Sequence, residues 1–258
     1  MAIDFHDGKN RNSYMTREVD RSWNETISAL VPFEKIEKAA DVGCGGGIYS
    51  KALSAMGAPF VIGVDFSETM LDAARENCKS SPSIAFQYGT ALRTGLDNNA
   101  VDLILERALI HHISDLQACF QEAYRILKSG GYFIIQDRTP DDCLLGGDNH
   151  HIRGYFFECF PHLMEKETKR RHTSGRVIET LQAAGFKDIR EIKLWETRKV
   201  YDDKEDLLQD MRQRTGRSIL HELDEKELEV LVTYIDKAFL SDTPINEKDR
   251  WTIWAAVK

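Results

Sequence analysis

Along the chain, the first residues whose types and spacing suit ligand chemistry form a glycine-rich turn. Glycine fills four of the five positions 43–47, and Asp41 stands just before them. Glycine permits a turn at positive φ and lets the backbone approach a ligand closely, because it has no Cβ. An apolar stretch leads into the turn, and a helical pattern follows it. A strand that runs through such a turn into a helix N-terminus is a nucleotide-binding device, so the sequence predicts a nucleotide site here.

Further side chains that bind ligands or move protons stand where later strands are predicted to end. Asp65 ends an apolar run, and a carboxylate there can accept hydrogen bonds from a pair of hydroxyl groups. His111 and His112 follow the fourth predicted strand and are the candidates for a general base; the alternative is a role in packing or hydrogen bonding. The histidines and cysteines of residues 143–162 show no zinc-binding spacing, so we predict no metal site.

These residues require elements that bring them to one edge of a sheet. Between residues 39 and 137, predicted strands alternate with predicted helices, which is typical of an α/β fold with a doubly wound parallel sheet. We predict seven strands, at 39–42, 60–64, 84–88, 101–105, 132–136, 187–197 and 251–257. Ligands of such sheets bind at the carboxyl ends of the strands. The first five strands end beside residues 43–47, 65, 90–92, 106–112 and 137.

Helix boundaries are predicted from capping residues and from glycine or proline stops. The first helix is predicted to begin at Thr16, with its apolar residues spaced i, i+4, and to end before Pro32. Ser67 is predicted to cap the helix after the second strand, and Ser114 with Gln117 to form a capping box. Residues 138–171 show no regular pattern, and helix is predicted again at 174–184 and within 202–248.

The chain length suits one domain over residues 1–258, with helical cap insertions in its sheet. In this interpretation residues 1–38 form a helical cover and residues 39–138 the cofactor-binding core. Residues 139–172 form a lid or connection, and residues 202–248 form a helical insertion. The sheet is completed by residues 173–201 and 249–258.

Composition argues against several classes of partner. The net charge is −8, whereas a nucleic-acid surface needs clustered Lys and Arg, so no nucleic acid is expected. The five cysteines are scattered without a CxxC motif and indicate reduced thiols in a cytoplasmic protein. The polar first ten residues predict no signal peptide. No apolar run approaches the ~20 residues of a membrane helix, so no membrane partner is expected.

The glycine turn differs from two common phosphate-binding motifs. In the dinucleotide motif G-x-G-x-x-G/A, counted from Gly43, the third small residue would fall on Ile48. A small residue is needed there for helix and strand to pack around a pyrophosphate, so a NAD-dependent dehydrogenase is a distant alternative. A P-loop needs Lys directly after Gly, but Lys51 follows Ser50.

The motif that is present is Asp41-x-Gly43-x-Gly45-x-Gly47. With it the chain resembles the class I S-adenosylmethionine-dependent methyltransferases, in particular the small-molecule branch called type 11, whose fold is Rossmann-like. The family's acid at the end of strand two corresponds to Asp65. Later segments that resemble the family follow in its order: Gly89-Thr90-Ala91, 96–102, Ala108-Leu109-Ile110-His111-His112 and 125–131. The resemblance is close over residues 39–137 and covers the rest only in outline.

The resemblance implies S-adenosylmethionine as the cofactor and S-adenosylhomocysteine as its product. It implies that Asp65 binds the ribose hydroxyls and that Asp41 lies near the ammonium group of the methionine portion. The sequence departs from the family at Thr90, where an Asp that bonds the adenine amino group is usual, and at Ser129, where Pro is usual. The predicted cofactor-binding residues are Asp41, Gly43, Cys44, Gly45, Gly47, Asp65, Phe66, Met70, Thr90, Ala91, Leu92, Glu106, Arg107, Tyr14 and Arg17.

The predicted reaction is methyl transfer to a small-molecule acceptor by in-line displacement. The sulfonium is already an activated donor, and positioning alone supplies roughly 7–11 kcal/mol in favourable systems. A general base adds only about 10²–10⁴-fold, so no indispensable catalytic residue is required.

The acceptor is predicted to bind outside the sheet. Arg153, Tyr155 and Phe156 in the lid, and Arg214 in the helical insertion, are the candidate substrate-binding residues. The alternatives are a packed connection for the lid and a solvated helix face for the insertion. A methyltransferase for RNA or protein and a non-catalytic S-adenosylmethionine-binding protein are the rival functions.

Overall fold

One seven-stranded sheet crosses the part of the chain that the computed structural model describes, residues 19–239 and 244–258. Its strands are β1 (Lys38–Val42), β2 (Phe60–Asp65), β3 (Ile84–Tyr88), β4 (Val101–Arg107), β5 (Leu127–Asp137), β6 (Lys187–Tyr201) and β7 (Ile245–Val257). Their order in the sheet is β3-β2-β1-β4-β5-β7-β6. Strands β1 to β5 pair in parallel, and β5 pairs antiparallel with β7. The predicted doubly wound, mostly parallel sheet is confirmed.

The described residues form ten α-helices. They are α1 (Arg21–Leu30), α2 (Ile48–Ala55), α3 (Glu68–Asn77), α4 (Leu116–Ile126), α5 (Pro140–Cys143), α6 (Arg153–Cys159), α7 (His162–Lys169), α8 (Ser174–Ala184), α9 (Lys204–Arg212) and α10 (Glu225–Ala238). Ser67 caps α3 as predicted, because its side chain accepts a hydrogen bond from the Met70 N–H. Gly185, at a φ of 101°, ends α8 as predicted.

The sheet order places a switch point at the carboxyl end of β1. The chain continues from β1 to β2 on one side, and β4 lies on the other side. Val42 at the end of β1 is opposite Val64 of β2 and Glu106 of β4. The segments after these three strands therefore begin close together, and this is where an open α/β sheet binds its ligands.

Several predicted boundaries are wrong. Helix α1 begins at Arg21, because the carboxylate of its N-cap, Asp20, accepts the Ser22 N–H. The predicted start, Thr16, lies outside the described residues. Asp115 rather than Ser114 caps α4, since its carboxylate accepts the Ala118 N–H. Residues 138–171, predicted to be irregular, hold the short helices α5, α6 and α7. Both β6 and β7 are longer than predicted.

The described chain folds into two compact units. The sheet unit consists of residues 19–137, 172–194 and 252–258, and the helical unit of residues 138–171, 195–239 and 244–251. The first boundary follows Asp137, close to the predicted end of the core at residue 138. The prediction that residues 1–258 act as a single domain stays a prediction.

Both faces of the sheet unit are apolar, as buried parallel strands require. Neighbouring residues of a strand point to opposite faces, so Phe133 and Ile134 of β5 belong to different clusters. Phe133 packs with Phe120 of α4, and Ile134 lies in the cluster that contains Trp23 of α1. The alternation fixes which side chains of each strand reach a given face.

The helical unit has an apolar core of its own. Leu207 and Leu208 of α9, Leu231 and Ile235 of α10, and Phe156 of α6 are buried in one cluster. These residues follow the helical spacing that the sequence shows between residues 202 and 239. Among residues 19–239 and 244–258, no helix has the length and apolar composition needed to cross a bilayer.

Candidate active site

The glycine turn between β1 and α2 has the backbone that its sequence predicts. Gly43, Gly45 and Gly47 all have positive φ, at 76°, 51° and 78°. The N–H groups of Gly43 and Cys44 donate to the Val64 carbonyl at 2.8 and 3.1 Å, which holds the turn against β2. A Cβ on Gly43 would lie 2.9 Å from a methyl group of Leu109. The positive φ therefore favours glycine at all three positions, and at Gly43 a Cβ would also crowd Leu109.

Asp65 fastens the turn to the helix that follows β2. One carboxylate oxygen accepts the Gly45 N–H and the other accepts the Ser67 N–H, both at 2.9 Å. Burial raises the pKa of Asp65, and these backbone donors act in the opposite direction. Each carboxylate oxygen has two acceptor sites, so the same group can bind the turn and also accept ligand hydroxyls.

Asp41 lies beneath the turn at the end of β1. Its carboxylate is buried and accepts the hydroxyl of Ser50 in α2 at 2.6 Å. Burial raises its pKa to about 6, the Ser50 hydroxyl opposes that shift, and the Asp65 charge adds to it. An ionised Asp41 is therefore costly in this environment, and a cationic ligand group nearby would stabilise it.

The loop after β3 lies beside the end of β2, because the Gly89 N–H donates to the Asp65 carbonyl at 3.0 Å. Thr90 and Arg93 exchange two backbone hydrogen bonds, and the Thr90 hydroxyl also accepts the Arg93 N–H. Leu92 in this loop and Phe66 after β2 are exposed apolar side chains. Met70 is buried, as is Ala91.

Glu106 and Arg107 end β4 with their side chains in different surroundings. Glu106 is buried and contacts the Cys119 thiol of α4 at 3.5 Å, and burial raises the pKa of its carboxyl to about 8. The Arg107 guanidinium lies over the Tyr49 ring at 4.2 Å. Its Nε donates to Gln136 Oε1 at 3.1 Å. Glu106 and Arg107 were both predicted to line the cofactor site. The side-chain contact of Glu106 is with Cys119 of α4, whereas that of Arg107 is with Tyr49 and Gln136, so a shared role toward the cofactor stays a prediction.

His111 and Asp137 form a close pair. His111 lies in a short 3₁₀ helix after β4 (Ile110–His112), and Asp137 ends β5. The distance from His111 Nδ1 to the Asp137 carboxylate is 2.8 Å, and the His111 backbone N–H lies 3.2 Å from the same oxygen. The rings of His111 and His112 contact each other at 3.9 Å between centroids. A buried carboxylate that accepts Nδ1–H directs the proton-accepting role of the ring to Nε2.

The predicted substrate residues lie in the helical unit, where they have structural partners. Arg153 is buried and its Nε is 3.2 Å from Asp249. Tyr155 and Phe156 are buried in the apolar core. Arg214 donates to the carbonyls of Leu220 and Leu223 and pairs with Glu225. A role of these four residues toward the substrate stays a prediction.

Two further predicted residues, Tyr14 and Arg17, lie outside the described residues. Among residues 19–239 and 244–258, no three His, Cys, Asp or Glu side chains are arranged to hold a metal ion.

Sequence reasoning noted the position of Asp137 but did not pair it with His111. It also missed Tyr49 and Gln136, and the one available signal was the polar Gln136 within an apolar strand.

Residues 40–135 match the family described as a methyltransferase domain, and they span the glycine turn, Asp65 and the end of β4. Over this segment the chain is similar to that methyltransferase family.

Two curated relatives of this chain are methyltransferases whose names refer to quinones. The demethylmenaquinone methyltransferase of Staphylococcus epidermidis is 30% identical over 130 residues, which cover 50% of this chain and 54% of the relative. The ubiquinone biosynthesis O-methyltransferase of Bartonella quintana is 28% identical over 127 residues, covering 48% of this chain and 50% of the relative. The chain thus matches about half the length of these relatives.

Solved structures show that the similarity in fold extends beyond the matched segment. A protein of an antibiotic biosynthesis pathway from Anabaena variabilis superimposes with a TM-score of 0.69 at 21% identity, over 93% of this chain and 98% of that one. Phosphoethanolamine N-methyltransferase 2 of Haemonchus contortus, solved with phosphomonomethylethanolamine and S-adenosylhomocysteine, gives 0.58 at 22% identity. That match covers 100% of this chain and 60% of the other. At these identities the likeness concerns the fold alone.

Proposed function

We propose that the protein transfers a methyl group from S-adenosylmethionine to a small-molecule acceptor in the cytoplasm. The observation that carries the proposal is the Asp65 carboxylate, which ends β2 and fastens the glycine turn through the Gly45 N–H. A carboxylate at this point suits the two ribose hydroxyls of the cofactor, because it offers acceptor sites on both oxygens.

The remaining parts of the site also fit this cofactor. The turn presents three left-handed glycines, so backbone can approach the methionine portion without a Cβ in the way. Phe66 and Leu92 provide exposed apolar surface beside the end of β2, which suits the adenine ring. When bound, the cofactor supplies a sulfonium-activated methyl group.

The chain contributes mainly positioning and a candidate base. The acceptor atom must lie in line with the methyl group, and excluding water protects the donor. Where the acceptor carries a proton, His111 is placed to remove it through Nε2, because the Asp137 carboxylate holds Nδ1 at 2.8 Å. Asp137 is buried, so it also stabilises the charge that His111 would acquire.

The names of the curated relatives favour a small aromatic acceptor. Two of them are named for demethylmenaquinone and for ubiquinone biosynthesis. Hydroquinones carry acidic oxygen and nucleophilic carbon, and a histidine base would assist either. The net charge of −8 argues against RNA as the acceptor.

Calorimetric binding of S-adenosylhomocysteine tests the cofactor. We expect micromolar affinity for the wild type and a loss of about tenfold or more in Asp65→Ala, since a charged hydrogen bond contributes about 1.5–3 kcal/mol. Asp72→Ala, which removes an exposed acid from α3, is the matched control and should bind like the wild type. Asp65→Asn keeps one acceptor oxygen and serves if Asp65→Ala does not fold.

The reaction is then tested by incubating the protein with S-adenosylmethionine and naphthoquinols and measuring the S-adenosylhomocysteine formed. Turnover that depends on the acceptor would support the proposal. A wild type that unfolds cooperatively but binds neither form of the cofactor would overturn it. Turnover with RNA or protein and with no small molecule would replace the proposed acceptor class.

A further inference from the structure

Arg107, the last residue of β4, is held by a set of contacts that involves three other elements. The face of Tyr49 lies under its guanidinium at 4.2 Å, and its Nε donates to Gln136 Oε1 at 3.1 Å. The same oxygen accepts the Trp23 indole N–H at 2.7 Å. Trp23 also contacts Tyr49 edge-on, with 4.9 Å between ring centroids. Residues from α1, α2 and β5 therefore fix one guanidinium before any ligand arrives.

The position of Arg107 in the sheet places it beside the glycine turn. Its neighbour Glu106 is opposite Val42, the last residue before the turn. The next residue, Ala108, has a φ of 52°, although it is not glycine. Its N–H donates to the Gln136 carbonyl at 2.8 Å. Such left-handed backbone at a residue with a Cβ is uncommon, and the surrounding contacts must hold it in place.

Arg107 and Asp41 carry opposite charges at the ends of the neighbouring strands β4 and β1. The Arg107 charge is close enough to lower the pKa of Asp41, although burial is the larger influence and raises it. The amino-acid end of the proposed cofactor is a zwitterion, with an ammonium group and a carboxylate on the same carbon. A buried acid on β1 and a fixed guanidinium on β4 match these two charges.

We infer that Arg107 binds the α-carboxylate of the methionine portion of the cofactor, with Tyr49 and Gln136 as positioning residues. The inference rests on the proposed function, and it assigns the carboxylate to a residue of β4. Arginine suits this role because its planar fork binds a carboxylate with two hydrogen bonds. Fixing the side chain in advance reduces the rotamer entropy lost on binding.

A pair of ligands that differ only in the carboxylate tests the inference. S-Adenosylhomocysteine has it, and S-adenosyl-3-thiopropylamine lacks it. By calorimetry we expect the wild type to bind the first about tenfold to a hundredfold more tightly. Arg107→Met should lose that preference by weakening only the first ligand, and Arg107→Lys should recover part of it. Arg75→Met, an exposed arginine of α3, should leave both affinities unchanged.

The outcomes separate this inference from the proposed function. Equal binding of the two ligands by the wild type would overturn the inference without any variant, and so would an equal loss of both ligands in Arg107→Met and Arg107→Lys. In each case the cofactor still binds, so the proposed function stands. If the wild type binds neither ligand, the proposed function itself is wrong.

Discussion

At the scale of single residues, Glu106 is a buried carboxyl whose side chain contacts the thiol of Cys119. Burial raises the pKa of this carboxyl from about 4.5 to about 8, so the folded protein keeps Glu106 protonated at neutral pH. The unfolded chain releases that proton at a much lower pH. Between pH 4.5 and 8 the folded state therefore binds one proton more than the unfolded state, and stability falls as pH rises through this window.

Replacing Glu106 with glutamine should remove this pH dependence. Glutamine resembles the protonated acid and does not titrate, so the stability of Glu106→Gln relative to the wild type should rise with pH. The expected rise between pH 5.5 and 7.5 is about 1.4 kcal/mol for each pH unit. Urea unfolding of both proteins at these two pH values measures it.

Glu122→Gln is the matched control for this measurement. Burial acts to raise the pKa of Glu122, but hydrogen bonds from Arg125 and Thr94 outweigh it and the net shift is downward. Its stability contribution is lost only as pH falls below 4.5, so its difference from the wild type should stay constant between pH 5.5 and 7.5. If the Glu106→Gln difference is also constant, Glu106 is ionised in the fold.

At the scale of elements, the turn into α2 depends on Gly47. This residue is the N-cap of α2 at a φ of 78°. A Cβ there would lie 3.0 Å from the Phe86 ring and 3.1 Å from the Cys78 thiol. Gly130 has almost the same φ, 77°, but a Cβ on it would meet nothing within 4 Å. The two glycines thus separate backbone strain from steric crowding.

Alanine substitution at both glycines should show this difference. Gly130→Ala is expected to cost about 1–2 kcal/mol, the strain of left-handed backbone. Gly47→Ala is expected to cost about 1–3 kcal/mol more, because the methyl group also displaces packed side chains. The free energy of unfolding in urea measures both. Equal losses would mean that Phe86 and Cys78 move away at little cost, and that crowding does not restrict the turn.

The elements also show how far sequence reasoning reaches. The glycine turn, Asp65 and the succession of strands β1 to β5 along the chain were predictable because local pattern and turn chemistry determine them. The contacts of Arg107 were not, since Tyr49 and Gln136 come from α2 and β5 and meet only through tertiary packing. The short helices of residues 138–171 were missed for the same reason: buried contacts of Phe156 and Leu163 stabilise segments with weak periodicity.

At the scale of the whole molecule, each unit has its own kind of interior. The sheet unit is held by apolar clusters on both faces of the sheet. The helical unit also encloses ion pairs, in which Arg217 donates to Glu247 at 2.7 Å and to Asp210. The Tyr201 hydroxyl lies 2.9 Å from the same guanidinium. Arg217 therefore lies in the interior of the helical unit, three residues after Arg214, which was predicted to bind substrate.

Removing this guanidinium should destabilise the protein strongly. Arg217→Met leaves the Asp210 and Glu247 carboxylates buried without it, and such losses cost about 3–5 kcal/mol. Arg212→Met is the matched control, because Arg212 pairs with Glu205 and Glu229 on the surface and exposed pairs contribute about 0–1 kcal/mol. Urea unfolding compares the two variants. Similar small losses would show that neighbouring cations replace Arg217.

The position of β7 between β5 and β6 has a consequence for synthesis on the ribosome. More than a hundred residues separate the end of β5 from the start of β7, and at ~5–20 residues per second their translation takes on the order of ten seconds. During that interval β5 is an open edge with the apolar run Phe133, Ile134 and Ile135, and β6 has no neighbouring strand in its final sheet position. The nascent chain therefore exposes an unpaired apolar strand edge, which is prone to aggregation. This is the period of synthesis in which binding of a chaperone would protect the chain most.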